Sequence, residues 1–163
     1  MTINCTSTPP PAMTLDAVTS ELAIRNLVSD FALASWKADF LGDFSKLWAE
    51  DGQWTLSAPF ANEANGIDEI LDLATKLGGG WEFFVQFVHS GVVKVDGDHA
   101  TGRWVLQEVA RSSDNNYNNY ALYEDVYVEI DGKWYFSERH YQYIWLDDST
   151  IPGQAFPVPP ISD

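Results

Sequence analysis

Residues Gln86 to Glu108, QFVHSGVVKVDGDHATGRWVLQE, decide how the rest of the chain is read. β-Branched and aromatic residues flank Asp96-Gly97-Asp98-His99, and a Gly/Asp pair favours the positive φ angles of a tight hairpin, so two long antiparallel strands are predicted. Alternation puts Trp104, Leu106 and Glu108 on one face of the second strand, and His89, Val93 and Val95 on one face of the first. Such a hairpin needs a cover. A histidine and a carboxylate standing among apolar neighbours mark the place where titratable groups are perturbed and used.

The cover lies upstream. From Leu15 apolar residues fall at Leu15, Val18, Leu22, Leu27, Phe31 and Ala34, near the spacing of an amphipathic helix that should end about Asp39. A short second helix is predicted from Asp43 to Ala49, with Asp43 as its N-cap and Phe44, Leu47 and Trp48 buried. Gln53 to Leu56 reads as a short strand and Ser57 to Glu63 as loop. A third helix follows Asn65 with Ile67, Ile70, Leu71, Ala74 and Leu77 inward, and Gly78-Gly79-Gly80 ends it. This triple glycine follows a helix and has no Lys-Ser/Thr after it, which excludes a phosphate loop.

Downstream of the hairpin, Ser112 to Asn119 reads as a polar loop. Tyr120 to Ile130 and Lys133 to Leu146 read as strands joined at Asp131-Gly132. Three helices with one short strand among them, then a four-strand antiparallel meander, indicate an α+β fold in which helices pack on one face of a curled sheet. The expected organisation is a leader over residues 1–13, one domain over 14–146, and a proline-rich tail over 147–163 that lies on the domain or on a neighbouring subunit.

Composition narrows the function classes. The 163 residues suit one domain, and 45% hydrophobic with 14% aromatic residues imply a packed, aromatic-rich interior. A net charge of -15, from 24 acidic against 9 basic residues, repels phosphate backbones and anionic lipid, so neither nucleic acid nor a membrane surface is an expected partner. No run has membrane-spanning length. The leader MTINCTSTPPPAM lacks a basic start and an apolar core, and the one cysteine, Cys5, allows no internal disulfide, so a cytoplasmic location is expected. No HxH, HExxH or cysteine cluster and no dinucleotide fingerprint occurs, so no metal or cofactor is expected.

The segments AIRNLVSDF, DFSKLWAEDGQWTL, NGIDEI, VKVDGDHATGRW and LYEDVYVEIDGKWYFSER, taken in this order, resemble the SnoaL-like members of the nuclear transport factor 2-like superfamily. The resemblance spans Leu15 to Trp145 and implies a cone-shaped α+β barrel: a bent antiparallel sheet and three helices enclosing one deep, mostly apolar pocket. Relatives include dehydratases, dehydrochlorinases, polyketide cyclases, steroid isomerases, small subunits of oxygenases and members without catalysis, so the fold leaves the function open. Several lyase relatives pair an Asp on the first helix with a His on the first long strand. The helical Asp position falls on Trp36 here, and a tyrosine position on Phe31. The histidine position falls near Gln86 by its distance from VDGD, whereas the histidine of that strand is His89; a bulge around Gly91 would reconcile the two.

On this basis His89, Glu108, Arg139 and Tyr123 are the candidate catalytic residues. His89 is the expected base, as an imidazole titrates near neutral pH, or else a core histidine bonded to a carbonyl. Glu108, a carboxylate in an apolar cavity, would serve as base itself or orient His89, or else pair with Arg103 or Arg139. Arg139 would hold an anionic oxygen, or else pair with Asp125 or Glu108. Tyr123 and Tyr141 are potential donors to a developing oxyanion. Asp39 is the acid nearest the vacant dyad position, while His99 and His140 read as exposed and structural. Phe31, Trp36, Trp54, Gln86, Trp104 and Leu106 are the candidate substrate-binding residues, within an aromatic set that also includes Trp48, Trp81, Phe83, Phe84 and Trp145. Together they favour a small hydrophobic, cyclic or aromatic partner. The expected activity is that of a cofactor-independent lyase or isomerase, with a ligand-binding protein or an accessory oxygenase subunit as the alternatives. A homodimer or homotrimer is expected through apolar residues such as Val126, Val128 and Tyr135 on the outer strand faces.

Overall fold

The computed structural model describes residues 14–36 and 40–157; the leader with Cys5, Asp39 and the side chain of Trp36 lie outside that description. Among the described residues the elements run α1 (Leu15–Leu33), a 3-10 turn (Ala34–Trp36), α2 (Phe40–Ser45), β1 (Trp48–Leu56), β2 (Asn62–Asn65), α3 (Ile67–Gly78), β3 (Phe83–Asp96), β4 (His99–Arg111), β5 (Asn116–Ile130) and β6 (Lys133–Asp147). The six strands form one sheet in the order β2-β1-β6-β5-β4-β3. It is antiparallel except where β1 runs parallel to β6. The architecture is the predicted α+β one: a curled, unclosed sheet with the helices across its concave face.

α1 starts at Thr14, whose Oγ1 accepts the Ala17 amide at 3.2 Å and so satisfies one orphan donor of the first turn. Its buried stripe is Ile24, Leu27, Val28 and Phe31, spaced to face one way. The predicted stripe is corrected in its first half, because Leu15 (79% exposed), Val18 and Leu22 look outward. α2 begins three residues before the predicted N-cap and ends at Ser45. Trp48 and Ala49 are therefore strand rather than helix, and β1 is correspondingly longer. The aromatic packing agrees with the expectation: Phe44, Leu47 and Trp48 are all buried. α3 starts after Gly66, whose φ of 79° suits a residue without Cβ, and gives way to extended backbone at Gly79.

One irregularity sets the face that each side chain of β3 shows. Val88 pairs with Leu106 and Gly91 with Trp104, so His89 and Ser90 stand together opposite the single Val105. This is a β-bulge, and it changes the parity of inward residues from Gln86 and Val88 to Val93 and Val95. The bulge needs glycine. A Cβ on Gly91 would lie 2.0 Å from Cε3 of Trp104. Further shifts within the β5–β6 and β1–β6 pairings add to the curl.

On the outer sheet face Val126, Val128 and Tyr135 are half-buried, whereas Phe87, Tyr120, Ile144 and Trp145 are the exposed apolar side chains of the strands' other end. After β6 the described residues 148–157 form no regular element. The Arg111 guanidinium holds this tail by donating from Nη1 to the carbonyls of Ile151 and Gly153, each at 3.0 Å.

Candidate functional site

The concave face of the sheet, α1, α2 and α3 surround a cavity of about 1570 Å³ whose lining also includes residues of the 112–117 turn and the tail residues Phe156 and Pro157. Phe31, Phe44, Trp54, Leu56, Ala74, Leu77 and Tyr143 are among its apolar and aromatic walls. The polar floor comes from one row across three strands. Register pairs Gln86 of β3 with Glu108 of β4, and Glu108 with Asn119 of β5, so all three side chains rise from the same level of the concave face.

Glu108 is the centre of that row. Gln86 Nε2 donates to its Oε1 at 2.6 Å, and the Tyr141 hydroxyl donates to its Oε2 at 2.5 Å. The other hydrogen of Gln86 Nε2 reaches the Tyr123 hydroxyl at 3.0 Å. Burial pushes the Glu108 carboxyl up from its ordinary value, although the donors Tyr141, Gln86 and Asn119 pull the other way. Burial and the neighbouring Glu108 charge raise Tyr141 in turn, so it holds its proton firmly as a donor. Tyr141, Gln86 and Asn119 all act as donors toward the carboxyl, an arrangement that favours the ionised form. The result is a carboxylate that is more basic than usual, set in an aromatic hollow. The side-chain carbonyls of Gln86 and Asn119 are buried without partners.

Of the predicted catalytic residues, the structure brings Glu108 and Tyr123 to the cavity wall and does not bring His89 or Arg139 there. His89 is exposed on the convex side, its ring stacked beside Phe87 at 6.4 Å. The bulge that the sequence suggested does exist, but it turns His89 out and leaves Gln86 facing in. Arg139 is 1% exposed and belongs to the core below the cavity. Its Nε and Nη2 donate to Asp125 Oδ1 and Oδ2, each at 2.8 Å, and its guanidinium carbon lies 3.7 Å from the Tyr123 ring centre and 4.2 Å from that of Phe31. The Tyr127 hydroxyl donates to Asp125 at 2.6 Å and accepts from Trp104 Nε1 at 2.8 Å. Arg139 thus supports the rings of the pocket wall from behind.

Of the predicted binding residues, Phe31, Trp54 and Gln86 line the cavity. Trp104 and Leu106 are corrected to core positions: they share the concave face with Glu108, but lie beneath α1, where Arg25 sits 5.2 Å over the Trp104 ring. Trp48 is core as well, and Trp145 is 61% exposed. His99 is exposed in the hairpin, and His140 Nδ1 meets Thr55 Oγ1 at 2.8 Å between β6 and β1. Asn119 and Tyr143 are cavity residues that sequence reasoning passed over. A signal for Tyr143 was present, since alternation from Arg139 through Tyr141 reaches it. Asn119 sat in what read as a loop, although strand pairing carries β5 back to Asn116.

A family model described as the SnoaL-like domain matches residues 16–140. The chain belongs to the SnoaL-like family. Among curated proteins it is similar to the gamma-hexachlorocyclohexane dehydrochlorinase of Sphingobium indicum, 28% identical over 132 residues that cover 77% of this chain and 81% of the relative. Among solved structures it is similar to LinA, with TM-score 0.77 and 23% identity over 88% of this chain and 98% of that one. It is also similar to a putative scytalone dehydratase from Novosphingobium aromaticivorans, with TM-score 0.74 and 20% identity over 88% of this chain and 100% of the other. At these identities the structural likeness speaks for the fold, the nuclear transport factor 2-like cone. Among the described residues no helix is long and apolar enough to cross a membrane.

Proposed function

We propose that this SnoaL-like protein is a cofactor-independent lyase in which Glu108 removes a proton from a small, apolar, cyclic substrate held between the aromatic walls. The single observation behind this reading is the Glu108 carboxylate, raised in basicity by burial and held at both oxygens by Gln86 and Tyr141. A base needs a pKa nearer the working pH than an ordinary carboxylate has, and desolvation supplies the shift. The similarity to a dehydrochlorinase supports elimination as the reaction type. In such a step the proton goes to Glu108, the electron pair of the C–H bond becomes the new double bond, and the leaving group departs with its own pair.

The deciding experiment is turnover of gamma-hexachlorocyclohexane and of β-chloro cyclic ketones, followed as chloride release, by wild type and Glu108→Gln. Removal of a general base costs about 10²–10⁴-fold in rate, so the variant should lose at least about 100-fold. A loss smaller than tenfold on a substrate that wild type turns over sinks Glu108 as the base. A second reading, a ligand-binding protein without turnover, draws on Gln86, which cannot take a proton yet stands near the position where the lyase relatives carry histidine. Saturable binding of the same compounds, with no chloride released by wild type, would favour it.

A further inference from the structure

Glu108 is a charge without a counter-charge. Its oxygens meet the Gln86 amide and the Tyr141 hydroxyl, with Asn119 as a further donor, and all three groups are neutral. Neutral donors solvate a carboxylate without cancelling its charge, and charges inside proteins are as a rule paired. The core cation Arg139 does not supply the pair, because its Nε and Nη2 donate to Asp125 and it lies behind the Tyr123 ring. Among the described residues no lysine or arginine forms an ion pair with Glu108. Three donors still leave about one of the four lone-pair sites of a carboxylate open, and Glu108 lines the cavity.

The walls suit a cation as well. Phe31, Trp54, Tyr123, Tyr141 and Tyr143 all line the cavity, and the face of an aromatic ring is negative. Phe31 and Tyr123 already take the Arg139 guanidinium from behind, whereas among the described residues no cation lies over Trp54, Tyr141 or Tyr143. The charged lining points the same way: Glu108 and Asp114 stand against Lys76, while Glu82 is paired with Arg111. On a chain of net charge -15 such a hollow concentrates positive ions. A metal ion asks for several oxygen, nitrogen or sulfur ligands, and the described residues hold no group of three His, Cys, Asp or Glu that could provide them. The cation that fits is organic.

We infer that the cavity is a binding site for a protonated amine carried on an apolar ring system, with the ammonium hydrogen-bonded to Glu108 and the ring held among Trp54, Tyr141 and Tyr143. This goes beyond the lyase reading and uses the same carboxylate in another way. An ammonium paired with Glu108 favours the ionised form so strongly that the carboxylate no longer takes a proton from carbon. Such an amine therefore blocks the elimination and is not its substrate.

The test is calorimetric titration of wild type, Glu108→Gln and His89→Ala with 2-aminotetralin and 2-tetralol, which match in shape and differ in charge. Wild type should bind the amine at least about tenfold more tightly than the alcohol. Glu108→Gln, checked for folding by circular dichroism, should weaken the amine about ten- to a hundredfold, as loss of a hydrogen bond to a charged group does, and the alcohol by less than about threefold. Raising salt from about 150 mM to 500 mM should leave the wild-type amine affinity within about threefold, since a pair inside a cavity is screened far less than one at the surface. His89→Ala, on the convex face, should match wild type. Equal affinity for the two ligands in wild type, or an amine affinity that ignores Glu108→Gln, overturns the inference. So does an amine affinity that collapses with salt or is lost in His89→Ala, because either puts the amine on the outer surface. The wild-type comparison and its salt dependence decide the matter even if Glu108→Gln does not fold. Amine binding of this kind with no chloride release by wild type sinks only the lyase, and Glu108-dependent chloride release that 2-aminotetralin does not slow sinks only the amine site.

Discussion

Glu108 and His89 show how much one residue's surroundings decide. The carboxyl has a folded pKa above its unfolded one, so its favourable contribution to stability is fully present below about pH 4.3 and is lost as pH rises through the folded value. Glu108→Gln removes this penalty. Thermal melts from pH 4 to pH 8 should show the variant gaining on wild type as pH rises, and a difference that stays flat with pH contradicts a raised Glu108. Activity should follow the same group in the opposite sense: kcat/KM on a turned-over substrate climbs with pH through the raised value and then levels, because the base must be ionised. His89, the residue that drew most attention in the sequence, should be dispensable. His89→Ala should hold turnover within twofold, since the imidazole faces away from the cavity.

At the level of elements, the bulge in β3 and the buried ion pair between β5 and β6 shape the pocket. Gly91 lets the Trp104 ring lie against the strand. Gly91→Ala should cost about 1–3 kcal/mol by overpacking, seen as a lower urea midpoint. An unchanged midpoint would mean that strand and ring separate freely. The Arg139–Asp125 pair is wholly buried and hydrogen-bonded at both oxygens. Arg139→Met strands the Asp125 charge and should cost about 3–5 kcal/mol; a double variant with Asp125→Leu should recover part of that loss, whereas a purely additive double would deny the coupling. Although β1 and β5 begin earlier than expected, at Trp48 and Asn116, the hairpin at Asp96 to His99 and its two strands were legible because period-two alternation and turn chemistry are local signals. The inward face of β3 was not, because one extra residue at His89-Ser90 inverts alternation beyond it, and only pairing with β4 locates that residue.

Over the whole molecule, a net charge of -15 on 163 residues makes the folded state repel itself. Raising salt from about 10 mM to 150 mM shortens the screening length from roughly 30 Å to 8 Å and should raise the melting temperature; an unchanged or falling value would show that attractive pairs outweigh the excess. The α+β class, the order of the three helices and of every strand but β2, and the family follow from the sequence alone, since each rests on local periodicity, turn residues and motifs in series. The composition of the pocket does not. Gln86, Glu108, Asn119, Tyr141 and Tyr143 come from four different strands, and only the register of a curled sheet brings them to one cavity. The same register sends His89 to solvent and Arg139 to the core, because a side chain's environment is set by what its strand is paired with and not by its neighbours along the chain.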